Sequence, residues 1–362
     1  MQHINPLLCS NEGTDKFITI GEIMLRLTPP NYEKIRMASS FEASYGGSEA
    51  NIALALANLG IDSTFFSVVP DNSLGKSAVR MLRSNDVHCT PVILSTPEQT
   101  PTHRLGSYYL ETGYGIRASK VIYDRKNSAM AEFDFKTVDL DGLLEGFTWL
   151  HLSGITPALS QSCRDLTLDC LKIAKEKGII VSFDGNFRSK LWTWEEARDF
   201  CTECLPYVDV LLGIEPYHLW KDEEDHSKGD VKDGIPLQPS YEQQDEIFSV
   251  FATRYPNIKC IARHVRYAHS GSENSLKAFL WYENHTFESR QFTFNILDRV
   301  GGGDAFASGL IYAMMHGYKP MDMANFAVAS SAIKHTIRGD ANITDDAKSI
   351  QNLMNMNYDI RR

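Results

Sequence analysis

"ILDRVGGGDAFASGLIYAMMHG" (296–317) is the stretch on which the reading of this chain turns. Three consecutive glycines open a segment that is otherwise apolar and predicts a helix over 304–316; a single carboxylate, Asp304, sits where the glycines stop. A helix N-terminus presents unpaired N–H groups and a partial positive charge. Gly301, Gly302 and Gly303 would let that backbone approach an anion closely and take positive φ where a turn demands it. Physics alone leaves two readings of Asp304. It caps the helix, as Asp commonly does, or it stands beside a bound phosphoryl group and takes the proton of an attacking hydroxyl.

Upstream of this segment short apolar strands alternate with helices. Strands are predicted at "TWLHLS" (148–153), "GIIVSFD" (178–184), "VDVLLG" (208–213) and "IKCIA" (258–262), separated by helices near 161–176, 193–205 and 241–254. Earlier, "FITIGE" (17–22) and "STFFSVV" (63–69) flank the helix "EANIALALANLG" (49–60). Such alternation gives an α/β fold with a mostly parallel central sheet flanked by helices. Two stretches break the rhythm. Residues 100–130 carry Tyr and Arg in β-like alternation without a helix, which predicts antiparallel strands projecting as a lid. Residues 218–240 are charged and hold Pro and Gly, the composition of a surface insertion.

The 362 residues can bury a substantial core, and 43% hydrophobic with 23% charged residues is ordinary for a globular protein. An excess of 46 acidic over 36 basic residues argues against nucleic acid or an anionic membrane as the main partner. No apolar run reaches the ~18 residues of a membrane span. Residues 1–16 lack the features of a secretory signal and read as a tail. Seven cysteines in a chain this long make no disulfide framework and point to a reducing, cytoplasmic setting. Cys201 and Cys204 have C-x-x-C spacing, but in a helix without a second pair they read as core packing rather than a zinc or redox site. His151, Cys163, His335 and the pair His264 and His269 have no metal-binding constellation around them, so core or surface roles are expected.

"PDNSLGKSAVRMLRSN" (70–85) has the strand-then-helix context of a phosphate-binding P-loop and contains Gly75, Lys76 and Ser77. The motif needs a glycine where this chain has Pro70, which lacks an N–H and fixes φ. "GYGIRA" (113–118) lacks even that context for a dinucleotide fingerprint.

"DRVGGGDAFASGLIYAM" resembles the C-terminal signature of the ribokinase-like (PfkB) carbohydrate kinases, D-x-x-G-x-G-D-x-F-x-x-G. "YGGSEANIALALANLG" (45–60) resembles their N-terminal signature, G-G-x-x-x-N-x-A followed by L-G. The resemblance runs over residues 17–345, with a lid inserted from about 24–45 and 100–130 and a C-terminal segment at 346–362. It implies that Gly46 and Gly47 pass close to a sugar and that the Asn51 amide, both donor and acceptor, bonds its hydroxyls. Asp304 is then the catalytic base, and the N–H groups of Gly301–Gly303 form the anion hole. ATP with Mg²⁺ would be the phosphoryl donor, the metal ligands remaining unassigned. The family's lids often pair into a dimer, for which "GSYYLETG" (106–113) could supply an edge strand.

Within the family the chain is most similar to 2-keto-3-deoxygluconate kinases, through "GEIMLRL" (21–27), "VIYDRKNSA" (121–129), "FDGNFRSKLW" (183–192) and "KHTIRGDAN" (334–342). That substrate is an anion, and Arg offers planar bidentate geometry to a carboxylate. By this resemblance Arg188 and Arg125 approach the acid end, with Tyr108 and Tyr123 contributing hydroxyls or ring faces. Arg117 lies in the same lid stretch and receives no role.

The nucleotide side departs from the family. Its usual N-x-x-E reads Ile214 and Tyr217 here, with Glu215 shifted between them. Its Thr-x-Arg reads His264 and Arg266, while Asn186 is retained as a candidate for ordering phosphates or metal-bound water. A kinase for a neutral sugar such as fructose or ribose, and a catalytically weakened sugar-acid binder, are the alternatives these departures leave open.

Overall fold

Strands such as "FITI" and "WLHL" bury residues on both of their faces because helices cover the sheet on both sides. Phe17, Ile18, Ile20, Trp149 and Leu150 are fully buried. The computed structural model describes residues 15–217, 231–232, 235–343 and 346–357. Most of the predicted tail and of the 218–240 insertion lies outside the described residues.

The chain enters at β1 (Lys16–Ile20), passes through β2 (Met24–Thr28) and β3 (Glu42–Gly46), and forms α1 (Ser48–Asn58). β4 (Asp62–Phe66) and β5 (Val68–Pro70) lead into α2 (Ser73–Arg83). β6 (Ile93–Ser95), β7 (Ser107–Glu111) and β8 (Lys120–Asp124) follow, then the one-turn helices α3 (Ala129–Glu132) and α4 (Leu140–Leu143). The expected alternation then appears as β9 (Trp149–Ser153), α5 (Gln161–Lys177), β10 (Ile180–Asp184), α6 (Trp194–Cys204) and β11 (Val210–Leu212). A small ribbon of β12 (Val231–Lys232) and β13 (Ile235–Pro236) precedes α7 (Tyr241–Arg254) and β14 (Cys260–Ala268). Strands β15 (Glu273–Tyr282), β16 (His285–Glu288) and β17 (Phe292–Asn295) come before α8 (Gly302–Met315), α9 (Pro320–Lys334) and α10 (Ala347–Met354).

The central sheet runs β16-β15-β14-β11-β10-β9-β1-β4, with β17 also on β15. It is parallel from β4 to β14 and antiparallel beyond. "IKCIA" is thus only the start of a nine-residue strand, because β15 returns along its full length from Tyr282 opposite Cys260 to Asn274 opposite Ala268. Alternation along each strand divides the core in two. Ile18, Leu150, Leu152 and Phe183 pack with α5, α6 and α7 residues, whereas Phe17, Trp149, Val210 and Leu212 pack with α1, α8 and α9 residues. α8 is apolar nearly all round because α1 and α9 cover it.

The second sheet has the order β3-β2-β7-β8 and joins the two early segments through parallel pairing of β2 with β7. "GSYYLETG" contains β7, which is flanked by β2 and β8; the free edges belong to β3 and β8, so β7 is no edge strand. The "GYGIRA" segment is a hairpin tip closed by Tyr114 and Arg117. Gly271 N–H donates to its Gly115 carbonyl at 2.7 Å, docking this sheet on the β14–β15 turn. The P-loop look-alike is excluded locally: the Asn72 side chain accepts from Leu74 and Gly75 N–H and occupies the tip of α2 itself. Cys201 and Cys204 are fully buried in the core. Among the described residues no helix is long and apolar enough to cross a membrane.

Candidate active site

The glycine run starts α8 two residues earlier than its apolar pattern predicts. Gly301 is the N-cap, in the left-handed region at φ 81°, and no side chain caps the helix. A Cβ on Gly301 would lie 1.7 Å from the Asp340 carbonyl oxygen, so both the turn and the close approach require glycine. Ala305 N–H makes the first bond back, to Gly301 C=O at 2.9 Å, which leaves the N–H groups of Gly302, Gly303 and Asp304 at the open end. Asp304 is therefore not the N-cap but the third helical residue.

Its carboxylate is spoken for from the other signature. Ser48 Oγ donates to Oδ1 and Asn51 Nδ2 to Oδ2, each at 2.7 Å. Ser48 in turn accepts from Asn186 Nδ2 at 3.0 Å. Asn51 thus meets Asp304 directly, and the tips of α1 and α8 converge on one carboxylate, each bringing positive potential. Although Asp304 opens to a cleft, the protein around it raises its pKa, against the hydrogen bonds from Asn51 and Ser48.

The cleft is a cavity of 680 Å³, within the usual size of a small-molecule site. It lies at the carboxyl ends of the parallel strands, the ordinary binding edge of an open α/β sheet. Gly301, Gly302, Gly303, Asp304, Gly47, Asn51, Tyr108, Tyr123, Arg125, Asn186, Arg188 and Arg266 all line it. Gly46 is set back: a Cβ there would lie 2.3 Å from Asp340 Oδ2, so its role is close packing.

The cations differ in how much of their charge is already matched. Arg125 is buried in an ion pair with Glu22. Arg188 is exposed to the cleft and donates to the Asn186 and Phe187 carbonyls at 3.4 and 3.1 Å. Tyr108 is buried with its hydroxyl on Asp340, and its ring lies 5.7 Å from the more exposed Tyr123 ring. Arg117 instead donates from the β7–β8 hairpin tip to the Tyr32 carbonyl at 2.5 Å, away from the cavity lining.

Several cavity residues received no role from the sequence. Asp184, at the end of β10, accepts from Asn186 N–H at 3.0 Å and has its pKa pushed by burial to about 7. Its place at a strand's carboxyl end is the one clue that could have found it. Glu49, fully buried, accepts from Ser153 and Thr156 at 2.7 and 2.9 Å, with its pKa raised by burial. Arg299, Glu215 and Asp340 also line the cavity. So do His264 and His335: His335 is buried, with its pKa lowered by burial to about 4, and His264 is exposed at the cleft, the core and surface places expected of them. Ile214 and Tyr217 are buried in the core.

The chain is 33% identical over 337 residues to the 2-dehydro-3-deoxygalactonokinase of Haloferax volcanii, spanning 92% of this chain and 95% of that protein. It is similar to the crystal structure of 2-dehydro-3-deoxygluconokinase from Thermotoga maritima, with a TM-score of 0.85 and 35% identity over 94% of this chain and 99% of that one. A putative ribokinase II from E. coli in complex with ATP and Mg²⁺ shares the fold at a TM-score of 0.73 and 20% identity, over 94% and 99% of the two chains. Residues 14–216 match the pfkB family carbohydrate kinases, and with that match and the relatives above, this chain belongs to the pfkB family of carbohydrate kinases.

Proposed function

We propose that this kinase transfers the terminal phosphoryl group of ATP to the terminal hydroxyl of a 2-keto-3-deoxy sugar acid, with 2-keto-3-deoxygluconate going to its 6-phosphate. The observation that carries the reading is one shared cavity: Asp304 at the tip of α8 opens into the space that Arg188, Arg125 and Tyr123 line. Asp304 takes the hydroxyl proton as the oxygen attacks the γ-phosphorus, and ADP leaves. A carboxylate with a raised pKa is better matched to that task than an ordinary one. The N–H groups of Gly302, Gly303 and Asp304 meet the charge on the transferred group. Arg188 holds the substrate carboxylate, Arg125 is kept in place by Glu22, and Asn51 and Ser48 orient the base. The small sheet, acting as a lid, excludes water that would otherwise hydrolyse ATP.

Mg²⁺, when bound, would supply charge neutralisation on the β- and γ-phosphates. The donor set fits it, since Mg²⁺ is usually held by one or two carboxylates together with substrate phosphates. Asp184, Glu215 and Asn186 offer hard oxygens to the cavity. Among the described residues no group of three or more His, Cys, Asp or Glu could hold an ion on its own.

The galacto epimer is the second reading, favoured by the Haloferax relative. A coupled assay of ADP release with both keto acids and with fructose tests all of this. Preference for a keto acid supports the proposal; preference for fructose overturns the acid reading, and tight keto-acid binding without ADP release overturns catalysis. We also propose a cytoplasmic enzyme that dimerises through its lids, where Met37, Phe41, Ile116 and Ile122 are exposed. A monomeric mass in solution would refute the dimer.

A further inference from the structure

We propose that Lys334 and Arg26 are positioning residues for phosphoryl transfer: they set the turn that carries the anion hole and fasten the lid to it. The proposal rests on the reading of the Gly302, Gly303 and Asp304 N–H groups as that hole.

Lysine is almost never fully buried unless it is paired, yet Lys334, the last residue of α9, is wholly buried. Its Nζ donates to the Asp298 carbonyl at 3.2 Å and the Ile337 carbonyl at 3.4 Å. One of those carbonyls begins the turn into the glycine run; the other belongs to the segment leaving α9. The Asp298 side chain continues the frame, accepting from Val300 N–H at 3.2 Å and Gly339 N–H at 3.1 Å.

Arg26, on β2 of the lid, bridges the two strands of this frame. Nη2 pairs with Asp298 Oδ2 and Nη1 with Asp340 Oδ1, both at 2.5 Å. Asp340 also accepts the Tyr108 hydroxyl from lid strand β7. Its own backbone carbonyl is the group pressed against Gly301, the N-cap of α8. Two cations and two carboxylates therefore balance inside the protein, and together they tie the lid, the turn before α8 and the segment leaving α9 into one frame. Lys334 and Arg26 do not line the cavity themselves; Arg26 reaches it through the Asp340 side chain, and Lys334 through the backbone it holds and its charge near Asp304. A buried ion network is a poor device for stability alone, since apolar residues often do as well. It is a good device for fixing one geometry, and displacing a reacting group by 1 Å can cost ~10²-fold in rate.

The experiment is steady-state ADP release by the full chain with ATP, Mg²⁺ and the keto acid, on wild type, Lys334→Ala and Arg26→Lys, with melting curves for each. Lys334→Ala should lose about 10²-fold in kcat with little change in KM for the acid. Methylammonium, which fits the emptied ammonium position, should restore part of that loss, whereas the bulkier tetramethylammonium should not. Arg26→Lys keeps the charge but cannot span both carboxylates, so it should raise KM for the acid more than it lowers kcat. Wild-type kinetics in Lys334→Ala, or a loss that methylammonium leaves unchanged, overturns the inference while the site reading stands. Should Lys334→Ala fail to fold, Arg26→Lys decides, and an unchanged KM overturns it. A wild-type enzyme that releases no ADP with any keto acid removes the site reading and this inference together.

Discussion

Replacing Asp304 by Asn separates catalysis from stability at a single position. The carboxylate accepts one hydrogen bond on each oxygen, from Ser48 and from Asn51. An amide can keep its oxygen toward Asn51, but its NH₂ then faces a Ser48 hydroxyl that already accepts from Asn186. At most one charge-assisted bond is lost, about 1.5–3 kcal/mol. An opposite effect works on the same group. Burial raises the Asp304 pKa, so the ionised native protein is penalised at pH above the unfolded carboxylate value, ~3.9, and Asn does not carry that penalty. With the two effects opposed, Tm should move by no more than about 4 °C. Activity has no such compensation: loss of a general base lowers kcat by ~10²–10⁴, or about 2.7–5.5 kcal/mol at 1.36 kcal/mol per decade. Coupled ADP release and a melting curve on the same preparation measure both. A folded Asp304→Asn protein with kcat within a few fold of wild type would remove the base from the mechanism; a large fall in Tm would show that the carboxylate serves the fold instead.

Three further substitutions probe the rest of the cleft. Arg188→Ala should raise KM for a keto acid by about 10–100-fold, the worth of a charge-assisted hydrogen bond, and leave a neutral sugar unaffected; equal losses on both would count against the carboxylate assignment. Gly301→Ala adds a Cβ 1.7 Å from the Asp340 carbonyl at φ 81°, where the backbone alone costs about 1–2 kcal/mol, so both Tm and kcat should fall, and an unchanged kcat would deny this turn a part in the reaction. Asp184 sits near pKa 7 in the folded chain against ~3.9 unfolded, so its ionisation destabilises the native state progressively as pH rises through that window. The Tm of Asp184→Asn relative to wild type should therefore climb between pH 5 and pH 8, and a flat difference would contradict the burial that sets the shift.

The parts of this molecule legible in the sequence are those written in local pattern. Strands covered on both faces read as apolar runs, and the glycine trio marked the tip of α8 because only glycine tolerates φ 81° beside the Asp340 carbonyl. The position of β7 inside the small sheet was not legible, since its alternation is the same whether one neighbour or two pair with it. The antiparallel end of the main sheet was hidden for a similar reason: nothing in "IKCIA" says that a strand returning beside it will extend it to Ala268. The site divides along the same line. Asn51 and Asp304 took roles from their signatures, whereas Ser48, Asp340 and Lys334, although they lie in quoted stretches too, take theirs from partners far away in the chain. Their chemistry is set by burial and distance, which no local window contains.

The departures on the nucleotide side take a definite physical form. Ile214 is buried, and Tyr217 is buried against Phe251 with ring centroids 5.5 Å apart, so both positions now serve the core beneath α7 rather than the cleft. An apolar side chain cannot order a metal ion or its waters, and a buried phenol held away from the cavity does no better. Glu215, between them, does face the cavity, as does Asp184 one strand over at the same carboxyl edge. Asp184 closes β10 and Glu215 lies on the loop after β11, so these two carboxylates enter the cavity from beyond two adjacent parallel strands. Neighbouring strands lie ~4.8 Å apart, a spacing from which two carboxylates can reach one hydrated ion whose other ligands are phosphate oxygens. Under the proposed function, that arrangement would keep negative charge at the cavity for a hydrated ion while the positions of the usual motif pack into the core.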